Sequence, residues 1–231
     1  MPKPTFENLP EEKRRRLVDI AIDEFTEHPY AQASLSRIVA RAGIAKGSIY
    51  QYFDDKLDLY RWLLTHEVAR RKQEHLAASV PLGSGDLFDR LGAMYLSGLR
   101  LLLEHPRLAR LGTRALEPSG DPDADRVHAE LRRMGIDGMR AMLAEAQARG
   151  EVGAAVDIDL AVHVVAQVMG PGLTGALLER LGIELKDLIG DPGLAGRIDE
   201  AALKALVDGA VAMLRRGMGE DALHLSKGAK Q

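Results

Sequence analysis

Lys46, Gly47, Ser48, Tyr50 and Gln51 fall within six residues and carry an ammonium, two hydroxyls, a carboxamide and one position without a Cβ. These groups suit the surface of a polyanion better than the making or breaking of bonds. The hydroxyls of Ser48 and Tyr50 can meet phosphate oxygens. Lys46 and Gln51 can reach phosphates or base edges, and Gly47 lets backbone approach closely. Lys56, in the first turn of the next helix, is placed for a further phosphate beside the exposed N–H groups of a helix start. Ser34, Arg37 and Ala45 complete the candidate surface for double-stranded DNA.

The elements that must position these residues are short helices. Ser34 is a natural N-cap for a helix whose apolar face is Leu35, Ile38, Val39 and Ala42. Gly43 supplies the left-handed residue that ends it. Ile38, Val39, Ile49 and Phe53 are spaced to lock this helix to the one holding Lys46–Gln51. A helix-turn-helix lays such a second helix in the major groove. Ahead of the pair, Leu17, Ile20, Ala21 and Phe25 form one apolar stripe. Pro10, Glu11 and Glu12 suit that helix's start, and Pro29 ends it. Asp54 or Asp55 caps a long fourth helix from Lys56 to about Ala78, and Asp54 brings negative charge towards the DNA. Arg37, Arg41 and the run Lys13–Arg16 read equally as phosphate contacts and as solvated charges. Tyr52 and Phe53 read as core.

The segment Ala42-Gly43-Ile44-Ala45-Lys46-Gly47-Ser48-Ile49-Tyr50-Gln51-Tyr52-Phe53, followed by Lys56-Leu57-Asp58-Leu59, resembles the TetR family of bacterial transcriptional regulators. The resemblance spans about Leu9 to Leu64. It implies a three-helix DNA-binding head and a helical body that binds a small-molecule effector and dimerises, usually with repression relieved by the effector. One departure is Ala45, where the family commonly has Ser or Thr. The recognition helix then lacks its side-chain N-cap, a loss of about 1 kcal/mol.

Composition agrees with a large all-α chain. It has 231 residues, 46% of them hydrophobic, and no cysteine, which removes disulfides and thiolate chemistry. Net charge is −3, with 13 basic against 12 acidic residues in 1–80 and 18 against 22 in 81–231. DNA binding therefore rests on local charge placement. No apolar run is read as approaching the roughly 20 residues of a membrane span, and no signal peptide is read at the N-terminus. A cytoplasmic protein without a membrane partner is expected.

Turn residues at Val80–Asp86 mark the expected boundary between a head of residues 1–80 and a body of 81–218, with 219–231 a polar, disordered tail. Body helices are expected near 86–104, 107–116, 123–149, 157–182 and 197–217. The last two are the homodimer candidates, through Leu160, Val164, Val168, Leu173, Leu177 and Leu181 on one and Ile198, Ala202, Leu206, Ala210, Met213 and Leu214 on the other, the alternative being that both are core within one domain. The segment Gly170-Pro-Gly-Leu-Thr-Gly175 matches G-x-G-x-x-G, but no later strands could build a nucleotide-binding sheet, and it reads as a helix kink. Met94, Tyr95, Met139, Met142, His163 and Gln167 are the candidate effector contacts; the first four read equally as plain core, and His163 and Gln167 as an interface edge. No catalytic motif, cofactor motif or metal-ligand spacing stands out, and no enzyme is expected. Alternatives to an effector-released repressor are an activator, a ligand-independent regulator, or a helical small-molecule binder with a vestigial head.

Overall fold

A computed structural model describes residues 2–79, 85–115 and 117–219. The expected turn at 80–84 and all but the first residue of the expected tail lie outside them. The described residues are helical, without strands. They pack as two compact units: residues 1–71 with 105–132, and 72–104 with 133–231. These units cut across the expected division at residue 80, because a later stretch of chain packs with the first 71 residues.

The first unit opens with a short helix α1 (Pro4–Glu7) and continues with α2 (Glu11–Glu27). Glu11 and Glu12 lie in the first turn of α2, where negative charge complements the helix dipole. Its buried face is Leu17, Val18, Ala21, Ile22 and Phe25; Ile20, assigned to that stripe from sequence, is only half-buried. After a 3-10 turn (Tyr30–Gln32) come α3 (Leu35–Ala42), a second 3-10 turn (Lys46–Ser48) and α4 (Ile49–Tyr52). Then α5 (Lys56–Trp62) passes through a π-turn (Leu63–Glu67) into α6 (Val68–Ser79).

The core of this unit is aromatic. The Phe6 ring lies 4.9 Å from Phe53 and 5.1 Å from Trp62. Tyr60 lies 4.8 Å from Phe25 and 5.0 Å from Tyr30. Its hydroxyl is hydrogen-bonded to buried His128 Nε2 at 2.8 Å, and burial pushes the phenol pKa up. Helix α8 (Pro106–Arg114) grips the end of α2. Arg114 Nε and Nη2 donate to the Thr26 carbonyl at 3.0 and 2.9 Å, and Thr26 Oγ1 donates to the Arg107 carbonyl at 3.0 Å.

The second unit is built on α7 (Leu87–Glu104) and α13 (Glu200–Met218). They run antiparallel, since Asp86 at the start of α7 pairs with Arg215 near the end of α13 (2.9 Å), while Arg100 pairs with Glu200. The buried residues of α13 are Leu203, Leu206, Val207, Ala210, Leu214 and Met218. Leu206, Ala210 and Leu214, read from sequence as interface, are therefore core of their own unit. The unit also holds the second half of α9 (Pro122–Ala148), α10 (Ile158–Gln167), α11 (Leu173–Leu181) and α12 (Leu185–Gly190), which lie between α7 and α13 in sequence.

A π-turn, Val168–Gly172, joins α10 to α11 and contains Pro171. Proline has no N–H to give the preceding turn, so the helix widens there. A Cβ on Gly172 would stand 3.1 Å from the Gln167 carbonyl. The nucleotide-like glycine pattern is thus the chemistry of a widened helical turn. One expectation needs correction: Ile158–Leu181 is long and apolar enough, by length and composition, to cross a membrane. Asp159, His163, Gln167 and Thr174 interrupt the stretch, so it holds no unbroken apolar run of that length. Only a third of its most apolar window is buried.

Candidate nucleic-acid interface

The two helices of the helix-turn-helix are fixed by their ends. Ser34 Oγ accepts the Arg37 N–H at 3.4 Å, capping α3 as expected. Gly43 (φ 69°, ψ 31°) ends it, and the N–H groups of Gly43 and Ile44 return to the carbonyls of Ala40 and Val39 at 3.2 and 3.1 Å. No side chain lies near the missing Gly43 Cβ, so the glycine serves its positive φ alone.

Ile49 and Phe53 are buried and anchor α4. The opposite face is open. Ala45, Lys46, Gly47, Tyr50 and Gln51 are exposed, and Ser48 is half-exposed. Tyr50 keeps 50% of its surface in solvent, unusual for a large ring without a partner. No atom lies within 4 Å of where a Gly47 Cβ would be, so backbone approach from outside is free. Ala45 stands in the N-cap position with no side-chain hydrogen bond, and the helix begins as a 3-10 turn.

Three neighbours differ from the sequence reading. Lys56, expected at a phosphate, is turned inward. Its Nζ donates to the carbonyls of Tyr30 and Ala33 at 2.7 and 3.1 Å and lies 4.2 Å from the Tyr30 ring centre. Burial lowers its pKa. Those carbonyls come from more than twenty residues upstream, which local sequence cannot reveal. Arg37 is committed to Glu24, whose carboxylate is only 1% exposed, through Nε at 2.9 Å and Nη2 at 2.5 Å. Burial alone would push the Glu24 carboxyl up. The Arg37 guanidinium and the Ser34 N–H outweigh it and hold the pKa below the ordinary value. Asp54, read as a cost to DNA binding, is neutralised by Lys3 Nζ at 2.8 Å, a hydrogen bond that lowers its pKa. Asp55 caps α5, accepting the Asp58 N–H at 2.8 Å.

In the basic run, Arg14 pairs with Glu11 and Arg16 donates to the Arg41 carbonyl at 3.5 Å, while Lys13 and Arg15 remain exposed. Arg41 is paired with Asp23 at 2.8 Å. Sequence reasoning missed Lys3, Thr5 and Glu24. The visible signal for the first two was Pro4 before a short helical stretch holding Phe6.

The candidate effector residues do not form one group. Met94, Tyr95, Met139 and Met142 are half-buried in the second unit, and burial pushes the Tyr95 phenol up to about 12. His163 and Gln167 are exposed. They share a stripe of α10 with Leu160 and Val164, themselves 63% and 41% exposed. The inward face of α10 is Ala161, Val162 and Val165. A helix apolar on both faces gives periodicity nothing to choose between, so the sequence read this pair equally as cavity lining and as an interface edge. Among the described residues no group of three His, Asp or Glu side chains is arranged to hold a metal ion.

The family model for bacterial regulatory proteins of the tetR family matches residues 17–62. The chain is 32% identical to a TetR family transcriptional regulator from Chloroflexus aurantiacus, over 94% of this chain and 98% of that one, with a TM-score of 0.74. It is 25% identical over 177 residues to the "Probable acrEF/envCD operon repressor" of Escherichia coli (strain K12), covering 74% of this chain and 79% of the relative. It shares its fold with the regulator FadR of Bacillus subtilis, solved in complex with stearoyl-CoA, at 19% identity over 88% and 98% of the two chains and a TM-score of 0.63. With the outer face of Ala45–Gln51 exposed beside buried Ile49 and Phe53, these likenesses place the chain in the TetR family of bacterial DNA-binding transcriptional regulators.

Proposed function

We propose that this regulator is a homodimeric repressor that lays Ala45–Gln51 in the major groove of a palindromic operator and leaves it on binding a small-molecule effector. The observation that carries the reading is the open face of the recognition helix, where Lys46, Gly47, Tyr50 and Gln51 stand free above buried Ile49 and Phe53. Lys46 and the hydroxyls of Ser48 and Tyr50 take phosphates, and Gln51 reads a base edge. Ser34 and Ala45 border the contact. Arg37, held by Glu24, and Lys56, turned inward, support the head through these contacts.

The repressing sign is supported by the name of the Escherichia coli relative. A dimer is supported by the exposed apolar stripe of α10, Leu160 and Val164, and by Met213 of α13 at 58% exposure. Leu160→Asp should yield monomers in sedimentation and lose operator affinity. Dimers of unchanged stability would put the interface elsewhere. That this fold can hold an amphiphile is supported by the FadR complex. Met94, Tyr95, Met139 and Met142 are the effector contacts to test first. The helical stretch from Lys56 to Ser79 carries residues of both compact units and serves as the lever. A coupling of about 1–3 kcal/mol, or a 5–150-fold change in affinity, suffices for such a switch.

The test is selection of bound fragments from the source genome by the purified protein at stated salt. Enrichment of one palindrome, lost in the folded Lys46→Ala/Tyr50→Phe variant, supports the reading. Unchanged binding by that variant removes the site assignment.

A further inference from the structure

Residues 3–6 have no place in the helix-turn-helix, yet they are bound to the far end of α4. Helix α4 stops at Tyr52, and Phe53 leaves it in extended backbone (φ −134°, ψ 151°). The carbonyls of Tyr50, Gln51 and Tyr52 then leave the last turn without helical partners, as at any helix C-terminus. The Asp54 N–H, which would have served Tyr50, goes to Asp58 Oδ2 at 3.1 Å instead.

All three carbonyls are filled from the N-terminal segment. Lys3 Nζ donates to the Tyr50 carbonyl at 2.8 Å. Thr5 Oγ1 donates to the Gln51 carbonyl. The Lys3 backbone N–H donates to the Tyr52 carbonyl at 2.8 Å. The same Lys3 Nζ meets Asp54 Oδ1 at 2.8 Å. Pro4 suits the first position of α1, and buried Phe6, against Phe53 and Trp62, fixes the segment to the core.

A helix of one turn after a 3-10 turn cannot sustain itself. A cation at its C-terminal end favours the helical dipole, and here it also pairs with the Asp54 carboxylate just past that end. We propose that Lys3–Phe6 is a clamp that holds the recognition helix in its groove-reading shape, with Lys3 a positioning residue for operator binding that touches no DNA itself. The proposal rests on reading α4 as the recognition helix.

The test uses the full-length protein and the selected operator, with affinity measured by fluorescence anisotropy across a salt series. Lys3→Ala should weaken binding about tenfold, the scale of losing one set of charge-assisted hydrogen bonds. The slope of log affinity against log salt should stay that of the unaltered protein, because the slope counts neutralised phosphates. Lys3→Arg should restore most of the loss. Thr5→Val should weaken binding less, also at constant slope. Amide exchange over Tyr50–Asp54 should quicken in Lys3→Ala while α7 and α13 stay protected.

A slope shallower by about 0.9 in Lys3→Ala would make Lys3 a phosphate contact and overturn the clamp. Unchanged affinity in both Lys3→Ala and Thr5→Val would overturn it too. Lys46→Ala separates the two readings. Its own loss of affinity and slope must survive a failure of the clamp, and its absence would sink the recognition-helix assignment and the clamp together.

Discussion

Helices α3 and α4 belong to one motif and are held by opposite means. Helix α3 carries its own ends: Ser34 caps the first turn and Gly43 closes the last. The stretch Lys46–Tyr52 has Ala45 where a cap would stand, opens as a 3-10 turn before α4, and has its final carbonyls filled by Lys3 and Thr5. The difference follows from their tasks. The residues of α4 face outward with small or polar groups, so few remain to stabilise the helix. What α3 gets from its own caps and from Glu24 ten residues before Ser34, α4 borrows from forty-odd residues away.

The largest break in this comparison is Phe53→Ala. Phe53 is buried against Phe6 and Trp62 and anchors both α4 and the segment that clamps it. Truncating it should cost about 3–5 kcal/mol in urea unfolding and abolish operator binding. A loss under about 1 kcal/mol would mean that α4 does not depend on this anchor.

Next comes Glu24→Gln, which strikes α3. The Glu24 carboxylate accepts the Ser34 N–H at 2.8 Å and binds Arg37, so it pins the start of the helix. Removing its charge should cost about 1–2 kcal/mol, since only the carboxylate is buried and Arg37 keeps 48% of its side chain in solvent. The pKa of Glu24 is lower in the folded protein than its ordinary 4.5. Its contribution is therefore present above 4.5 and fades as pH falls through the lower, folded value. Stability measured from neutral pH downwards should fall less steeply below about 4.5 in Glu24→Gln than in the unaltered protein. Parallel curves would show that the pair adds nothing pH-dependent.

Gly43→Ala is a smaller and purely local change. With φ at 69° and no atom near the new methyl, its cost is backbone strain alone, about 1 kcal/mol. Gly43→Asn should cost less, since Asn tolerates the left-handed region better. Equal losses by thermal melting would point to a contact rather than to φ.

Much of this motif was legible because α3 is specified locally. Ser34, Gly43 and the apolar positions Ile38 and Val39 have the spacing their geometry requires. The surface of α4 was legible for a similar reason, as buried Ile49 and Phe53 fix which residues face out. The misread residues depend on partners distant in sequence. Lys56 looks like a free cation until the Tyr30 and Ala33 carbonyls are found beneath it. Asp54 looks unfavourable until Lys3 is beside it. In α10, apolar residues on both faces leave inward and outward indistinguishable, so the sequence left His163 and Gln167 between a cavity and an interface edge, and both are exposed. Helix α13 failed in the other direction, since a stripe that suits an interface also suits packing against α7.

The smallest expected effect is a gain. Ala45 has extended N-cap geometry (φ −63°, ψ 142°), is exposed, and makes no capping bond. Ala45→Ser should stabilise the head by about 0.5–1 kcal/mol and slow amide exchange at Lys46–Ser48. The sharper test joins it to Lys3→Ala. In a long helix the two ends are independent and such changes add. Lys46–Tyr52 spans two turns, so one end can nucleate what the other lacks. The serine should therefore stabilise more when the clamp is gone than when it is present, a coupling measurable by a double-mutant cycle in unfolding and in operator affinity. Strict additivity would mean that the core, through Ile49 and Phe53, holds the helix by itself, and that its two ends do not share one folding unit.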